Sequence, residues 1–119
     1  MQSMERQVFL GFIKIHILHH AVGEPLYGLW LIEELSRHGY NLSPGTVYPL
    51  LHSMEEQGYL ESYREVVGGR TRRHYAATTK GKKALAASRK KILELVNEVL
   101  NDETTRAVKS GRSGRKKKL

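Results

Sequence analysis

Cysteine is absent from the 119 residues. That excludes a disulfide framework, a thiolate metal site and a cysteine nucleophile, and it fits a reducing compartment. No apolar run approaches the ~18 residues of a membrane-spanning helix, and the N-terminus lacks a secretory hydrophobic region with a cleavage site. A soluble, cytoplasmic protein is expected. Catalytic motifs are missing too. "GYNLSPG" is not a nucleophile elbow of the G-x-S-x-G type, and "VVGGRTRR" lacks the residues of a P-loop. Neither an enzyme nor a cofactor is expected. Hydrophobic residues make up 39%, enough for a modest core. At this size such a core is marginal alone, so oligomerisation would help.

Acidic residues are outnumbered, 12 against 20 Lys and Arg, for a formal charge of +8. The excess is uneven. Residues 64–91 hold ten basic groups and one acid, Glu65. Residues 102–119 hold seven basic and two acidic groups and little that is apolar. A concentrated basic stretch suggests a polyanion, most often nucleic acid. The tail is expected to be disordered, adding nonspecific affinity and salt dependence.

Hydrophobic periodicity predicts a mostly helical chain with a small β-hairpin. Residues 5–22 form a first helix whose apolar arc covers more than half its circumference, well beyond the ~100° that a surface helix needs. Phe9 and Phe12 on that arc are expected to meet a second subunit. A second helix spans 26–37, burying Gly28, Leu31, Ile32 and Leu35, with Gly39 as its left-handed cap. Residues 43–60, "SPGTVYPLLHSMEEQGYL", supply the second half of a helix-turn-helix candidate. "YLESYREVV" and "RTRRHYAA" are rich in β-branched and aromatic residues, and "GGR" between them predicts a hairpin. Thr78 is a plausible N-cap for a last helix over 79–101. Leu85, Ile92 and Val99 recur there every seven residues, with Leu95 and Val96 between, and a dimer contact or a core-facing stripe is expected.

The stretch 43–60 places helix breakers ahead of a regular apolar stripe, Val47, Leu50, Leu51 and Met54. Ser43 sits at the N-cap position and Pro44 at the first helical position, where its missing N–H costs nothing. Pro49 removes a hydrogen bond and should bend the helix, so regular helix is expected from about Thr46. Gly45 lets another backbone come close. The exposed N-terminal half is small, polar or flat. Acids appear only at Glu55 and Glu56. Such an end suits a phosphate, and the N-terminal residues of a recognition helix are those that reach base edges. Thr46, Tyr48 and His52 are the candidate base readers. Arg70, Arg72 and Arg73 on the hairpin would contact phosphates.

Two features point less clearly. "HILHH" puts His16, His19 and His20 at i, i+3 and i+4, a spacing that can hold a metal. A carboxylate and supporting groups usually complete such a site. Glu24 is the nearest acid downstream, and partly buried histidines at a dimer contact are expected in place of a metal. Trp30 lies away from the core stripe of its helix, where it would stack on a partner or ligand, lie near a DNA backbone, or stay half-exposed under a neighbouring loop.

These residues resemble the PadR family of bacterial transcriptional regulators over roughly residues 8–86. The specific pieces are "LYG" at 26–28, "LSPGTVYPLLHSMEEQGYL" at 42–60, "GGRTRRHY" at 68–75, and "TTKG" with Leu85. The resemblance implies a dimeric winged helix-turn-helix repressor, here of the short form with a single C-terminal helix. It puts Ser43, Pro44, Gly45, Thr46 and Tyr48 at the start of the recognition helix and the three arginines on the wing. Tyr75 matches the tyrosine of the second wing strand, and its alternation leaves open whether it packs inward. Trp30, at a position usually polar, and the "RSGRKKKL" tail depart from the pattern. The resulting expectation is a winged domain over 5–78, a dimerisation helix over 79–101 and a basic tail over 102–119. Its partners would be double-stranded DNA and a second copy joined through Phe9, Phe12, Leu85, Ile92, Val96 and Val99. Family members that sense small planar compounds leave room for an effector. A winged helix serving only protein contacts, or a nonspecific nucleic-acid binder driven by the tail, is the alternative.

Overall fold

The computed structural model describes residues 3–101. The basic tail lies outside the described residues. The element order is α1 (Met4–Gly23), β1 (Leu26–Tyr27), α2 (Gly28–Arg37), α3 (Pro44–Glu56), β2 (Leu60–Val67), β3 (Arg70–Ala77) and α4 (Thr79–Val96), followed by a π-helical turn at Asn97–Asn101. Helices α1 to α3 and an antiparallel sheet of order β1-β3-β2 make a winged helix-turn-helix.

The second helix begins two residues later than the periodicity predicts. Leu26 and Tyr27 are extended and pair with Tyr75 and His74. The wing is therefore a three-stranded sheet and not a bare hairpin. Pairing satisfies one edge of β3 that would otherwise be open, and Leu26 drops its side chain into the core. The hairpin turn is as expected. Val67 pairs with Arg70, and Gly68 and Gly69 both have positive φ, +59° and +79°. A two-residue loop of this twist needs φ > 0 at both positions. Gly39 also has positive φ and follows α2 as predicted.

One core runs through the domain. Ile13, Ile17, Leu18 and Ala21 of α1, Leu31 and Leu35 of α2, and Val47, Leu51 and Met54 of α3 meet Leu60, Tyr75 and Ala77 of the sheet. Leu85 belongs to this core and is only 4% exposed. That corrects its assignment to the dimer contact. The start of α4 is drawn in by local chemistry. Thr78 Oγ1 accepts the Gly81 N–H at 3.0 Å and donates to the Gly58 carbonyl. Gly81 faces the Tyr59 carbonyl so closely that any side chain would collide with it.

Packing divides the chain into two compact units, Met1–Ala86 and Ala87–Leu119. The division falls inside α4, not at residue 78, because Gly81 and Leu85 are buried with the winged helix. In the described part of the second unit, Ile92, Leu93, Leu95, Val96, Val99 and Leu100 are all exposed.

Candidate DNA interface

Helix α3 starts at Pro44 and continues through Pro49 to Glu56. Regular helix thus begins two residues before the expected Thr46. The Ser43 carbonyl makes this possible, accepting the N–H groups of both Thr46 and Val47 at 3.0 Å. Pro49 falls where its missing N–H would have reached the Gly45 carbonyl, on the exposed side, so the lost bond faces solvent.

Ser43 holds the N-cap backbone conformation, but its side chain makes no capping hydrogen bond. Its hydroxyl and the Gly45 N–H are both available at an exposed helix end. Gly45 has no intramolecular reason to be glycine. Its φ is ordinary, and a Cβ there would meet nothing nearer than Ser43 Oγ at 3.6 Å. Glycine in a helix costs up to about 1 kcal/mol against alanine. The observation favours an external body that must come close. Thr46 is half-buried, whereas Pro44, Tyr48 and His52 are exposed.

Tyr48 is held from behind. Its ring packs over Gly28, the last residue of "LYG". The glycine is what allows the tyrosine to lie flat there.

The three wing arginines have three different surroundings. Arg70 is exposed beside the turn. Arg72 lies over the Tyr27 ring, 4.3 Å from its centroid, on the outer face of the sheet. There His74 sits between Tyr27 and Tyr63, with ring centroids at 5.5 and 5.4 Å. Arg73 points to the inner face. Its Nη1 donates to Ser62 Oγ at 2.9 Å, and Ser62 donates to Glu55 Oε2 at 2.7 Å. That chain ties the wing to the end of α3.

Residues 17–87 match the Transcriptional regulator PadR-like family. The transcriptional regulator Rv3488 of Mycobacterium tuberculosis is 50% identical over 92 residues, covering 77% of this chain and 86% of the relative. The chain belongs to the PadR-like family of transcriptional regulators. A PadR family regulator from Eggerthella lenta superposes with a TM-score of 0.64 at 28% identity, covering 92% of each chain. A PadR-like regulator from Bacillus cereus gives 0.69 at 29% identity, covering 82% of this chain and 96% of that one. The winged-helix fold and the absence of an enzyme's role agree with the resemblance seen in the sequence.

Family membership leaves several features of this PadR-like chain to be explained by its own geometry. Tyr75, whose direction the strand alternation left open, packs inward and is 1% exposed. Its hydroxyl has no hydrogen-bond partner among the described residues. Burial pushes its pKa above the usual tyrosine value. Trp30 is half-buried against the core, edge-on to His20 at 5.2 Å. With His19, Glu24, Pro25 and Tyr27 it lines a cleft of about 440 Å³.

Sequence reasoning missed Tyr27 beneath Arg72, Ser62 between Arg73 and Glu55, and the partners of the histidines. His19 is exposed. His16 and His20 converge instead with His38, the C-cap residue of α2. Glu34 and His38 are themselves i, i+4 at the end of α2, a spacing visible in the sequence. Nothing there says that this face of α2 meets α1.

Among the described residues no helix is long and apolar enough to cross a membrane.

Proposed function

We propose that this regulator is a sequence-specific repressor that acts in the cytoplasm as a homodimer on a pseudo-palindromic operator. The observation that carries the reading is the exposed start of α3, with an uncapped serine hydroxyl and a glycine that the fold itself does not require. Thr46, Tyr48 and His52 read base edges in the major groove. Ser43 and the first N–H groups hold a phosphate, and Pro44 and Gly45 keep the approach clear. Arg70 contacts a backbone phosphate beside the groove, and Arg72 does so braced on Tyr27. Arg73 acts mainly by fixing the wing to Glu55 through Ser62.

Exposed apolar surface on two elements supports a second copy. Phe9 and Phe12 on α1 are 50% and 42% exposed. Ile92, Val96 and Val99 are exposed in the second unit. Exposed apolar side chains gathered on one element, as within each of these units, are a usual mark of an interface. Two-fold symmetry sets half-sites about 34 Å apart or a multiple of that. A dimer seated across a promoter blocks polymerase, which makes repression the expected outcome.

The test is fluorescence anisotropy on duplexes from the region upstream of the protein's own gene, at several salt concentrations, against a scrambled duplex. Sites selected from random DNA extend the search. Discrimination of at least ~10³ is expected. A Thr46→Ala/Tyr48→Ala variant should lose discrimination more than nonspecific affinity. Equal, steeply salt-dependent binding to every duplex, selected sites included, would overturn the reading and leave the charge alone as the source of affinity.

A further inference from the structure

We infer that His16, His20 and His38, completed by the Glu34 carboxylate, form a site for one divalent transition-metal ion of the zinc class. Two i, i+4 pairs face each other where the helices pack, His16 and His20 on α1, and Glu34 on α2 with His38 at its C-cap. One ring nitrogen from each histidine lies within 4.8 Å of the other two. Glu34 Oε2 reaches into the same space, 3.4 Å from His20 Nε2 and 3.1 Å from His38 Nε2.

The donor set decides the class of ion. Three imidazoles and a carboxylate suit zinc and its neighbours, in tetrahedral geometry with Zn–N near ~2.0–2.1 Å. Such bonds bring ligand atoms to about 3.4 Å from one another. The histidines therefore need to close by roughly an ångström, within reach of side-chain rotation. Magnesium and calcium require mostly oxygen ligands and are excluded by the same set.

Supporting contacts are in place. Glu34 Oε1 is held by the Arg37 guanidinium, which leaves Oε2 for the ion. Tyr40 meets the His16 ring edge-on at 5.8 Å, and Trp30 does the same to His20 at 5.2 Å. His16 and His20 are half-buried, whereas His38 is exposed and gives a route in. Burial, together with the positive charge of neighbouring histidines, holds His16 below its ordinary pKa, and burial does the same for His20. The neutral imidazole is the form that binds metal.

An ordinary ion-pair hub around Glu34 is the competing account. It accounts for Arg37, His20 and His38, which all pair with Glu34. It does not account for His16, whose ring nitrogen joins those of His20 and His38 within 4.8 Å; full protonation there would set four positive charges against one negative. A metal ion accommodates all four groups at once.

The ion would join α1 to α2, the helix that precedes the recognition helix. An effector role through that link depends on the DNA reading above, but the site itself does not.

The experiment is calorimetric titration of the untagged full chain with Zn²⁺. One equivalent per chain is expected. His38→Ala should weaken binding at least ~10-fold, and Glu34→Gln by about 10- to 100-fold. His19→Gln, in the same "HILHH" but outside the cluster, should bind as the parent does. Co²⁺ added to the unaltered chain should give the intense visible bands of tetrahedral coordination, a readout that needs no variant to fold. Absence of stoichiometric Zn²⁺ binding, full affinity in His38→Ala, an equal loss in His19→Gln, or only the weak bands of octahedral Co²⁺ would each overturn the assignment.

Discussion

The Tyr48 ring occupies the space that a side chain on Gly28 would need. A Cβ built on Gly28 would lie 2.5 Å from Cε1 of that ring and 2.7 Å from its hydroxyl. The two residues are 20 positions apart, on α2 and α3. "LYG" and "SPGTVY" are therefore two halves of one arrangement that sets the angle of an exposed aromatic on the candidate DNA face.

Gly28→Ala should change function more than stability. The obstructed group is the far end of a side chain that can swing outward, so the folding free energy should move by less than about 1 kcal/mol. Operator affinity should fall as Tyr48 leaves its place. In a Tyr48→Ala background the same substitution should have little further effect on affinity. Urea denaturation and anisotropy on the four proteins of this cycle measure both quantities.

Gly45→Ala should separate stability from function in the opposite direction. The site is open, and alanine is the better helix former, so the variant should gain up to about 1 kcal/mol. If DNA approaches here, affinity should drop despite the gain. Thermal melts alongside operator titrations check the pair of effects.

Tyr75→Phe should stabilise the protein by about 1 kcal/mol, since it removes a buried hydroxyl that has no partner among the described residues. The same residue sets an alkaline limit. Burial raises its folded pKa above the value near 10 expected for the unfolded chain. Above pH ~10 the unfolded state therefore loses a proton that the folded state keeps, and stability falls as pH rises toward the folded pKa. The advantage of Tyr75→Phe should accordingly widen above pH ~10, as read from denaturation midpoints at stepped pH.

Leu85→Ala and Ile92→Ser should fail in different ways. Leu85 fills the intrachain core, so its truncation should cost about 2–5 kcal/mol. Ile92 is exposed in the second unit. Its change should leave the fold intact and weaken self-association. Sedimentation velocity over a concentration series, with circular dichroism, distinguishes the two.

Much of this protein was determined by local sequence. The stripe Val47, Leu51, Met54 buries one face of α3 because 3.6-residue periodicity admits no other solution. Gly68 and Gly69 turn the wing because their backbone can take positive φ. Thr78 starts α4 because its hydroxyl caps a nearby N–H. Tertiary structure decided what periodicity cannot carry. Leu26 and Tyr27 look like helix by pattern, yet the free edge of β3 takes them as a strand. Leu85 fits a seven-residue repeat, yet the close approach of Gly81 to Tyr59 pulls it into the core. Tyr48 meets Gly28, Arg73 meets Ser62, and His16 and His20 meet His38 only because helices and strands distant in sequence pack together. The physical reason is the range of the forces involved. Turns, caps and periodicity act over a few residues, whereas side-chain contacts between elements depend on how those elements pack.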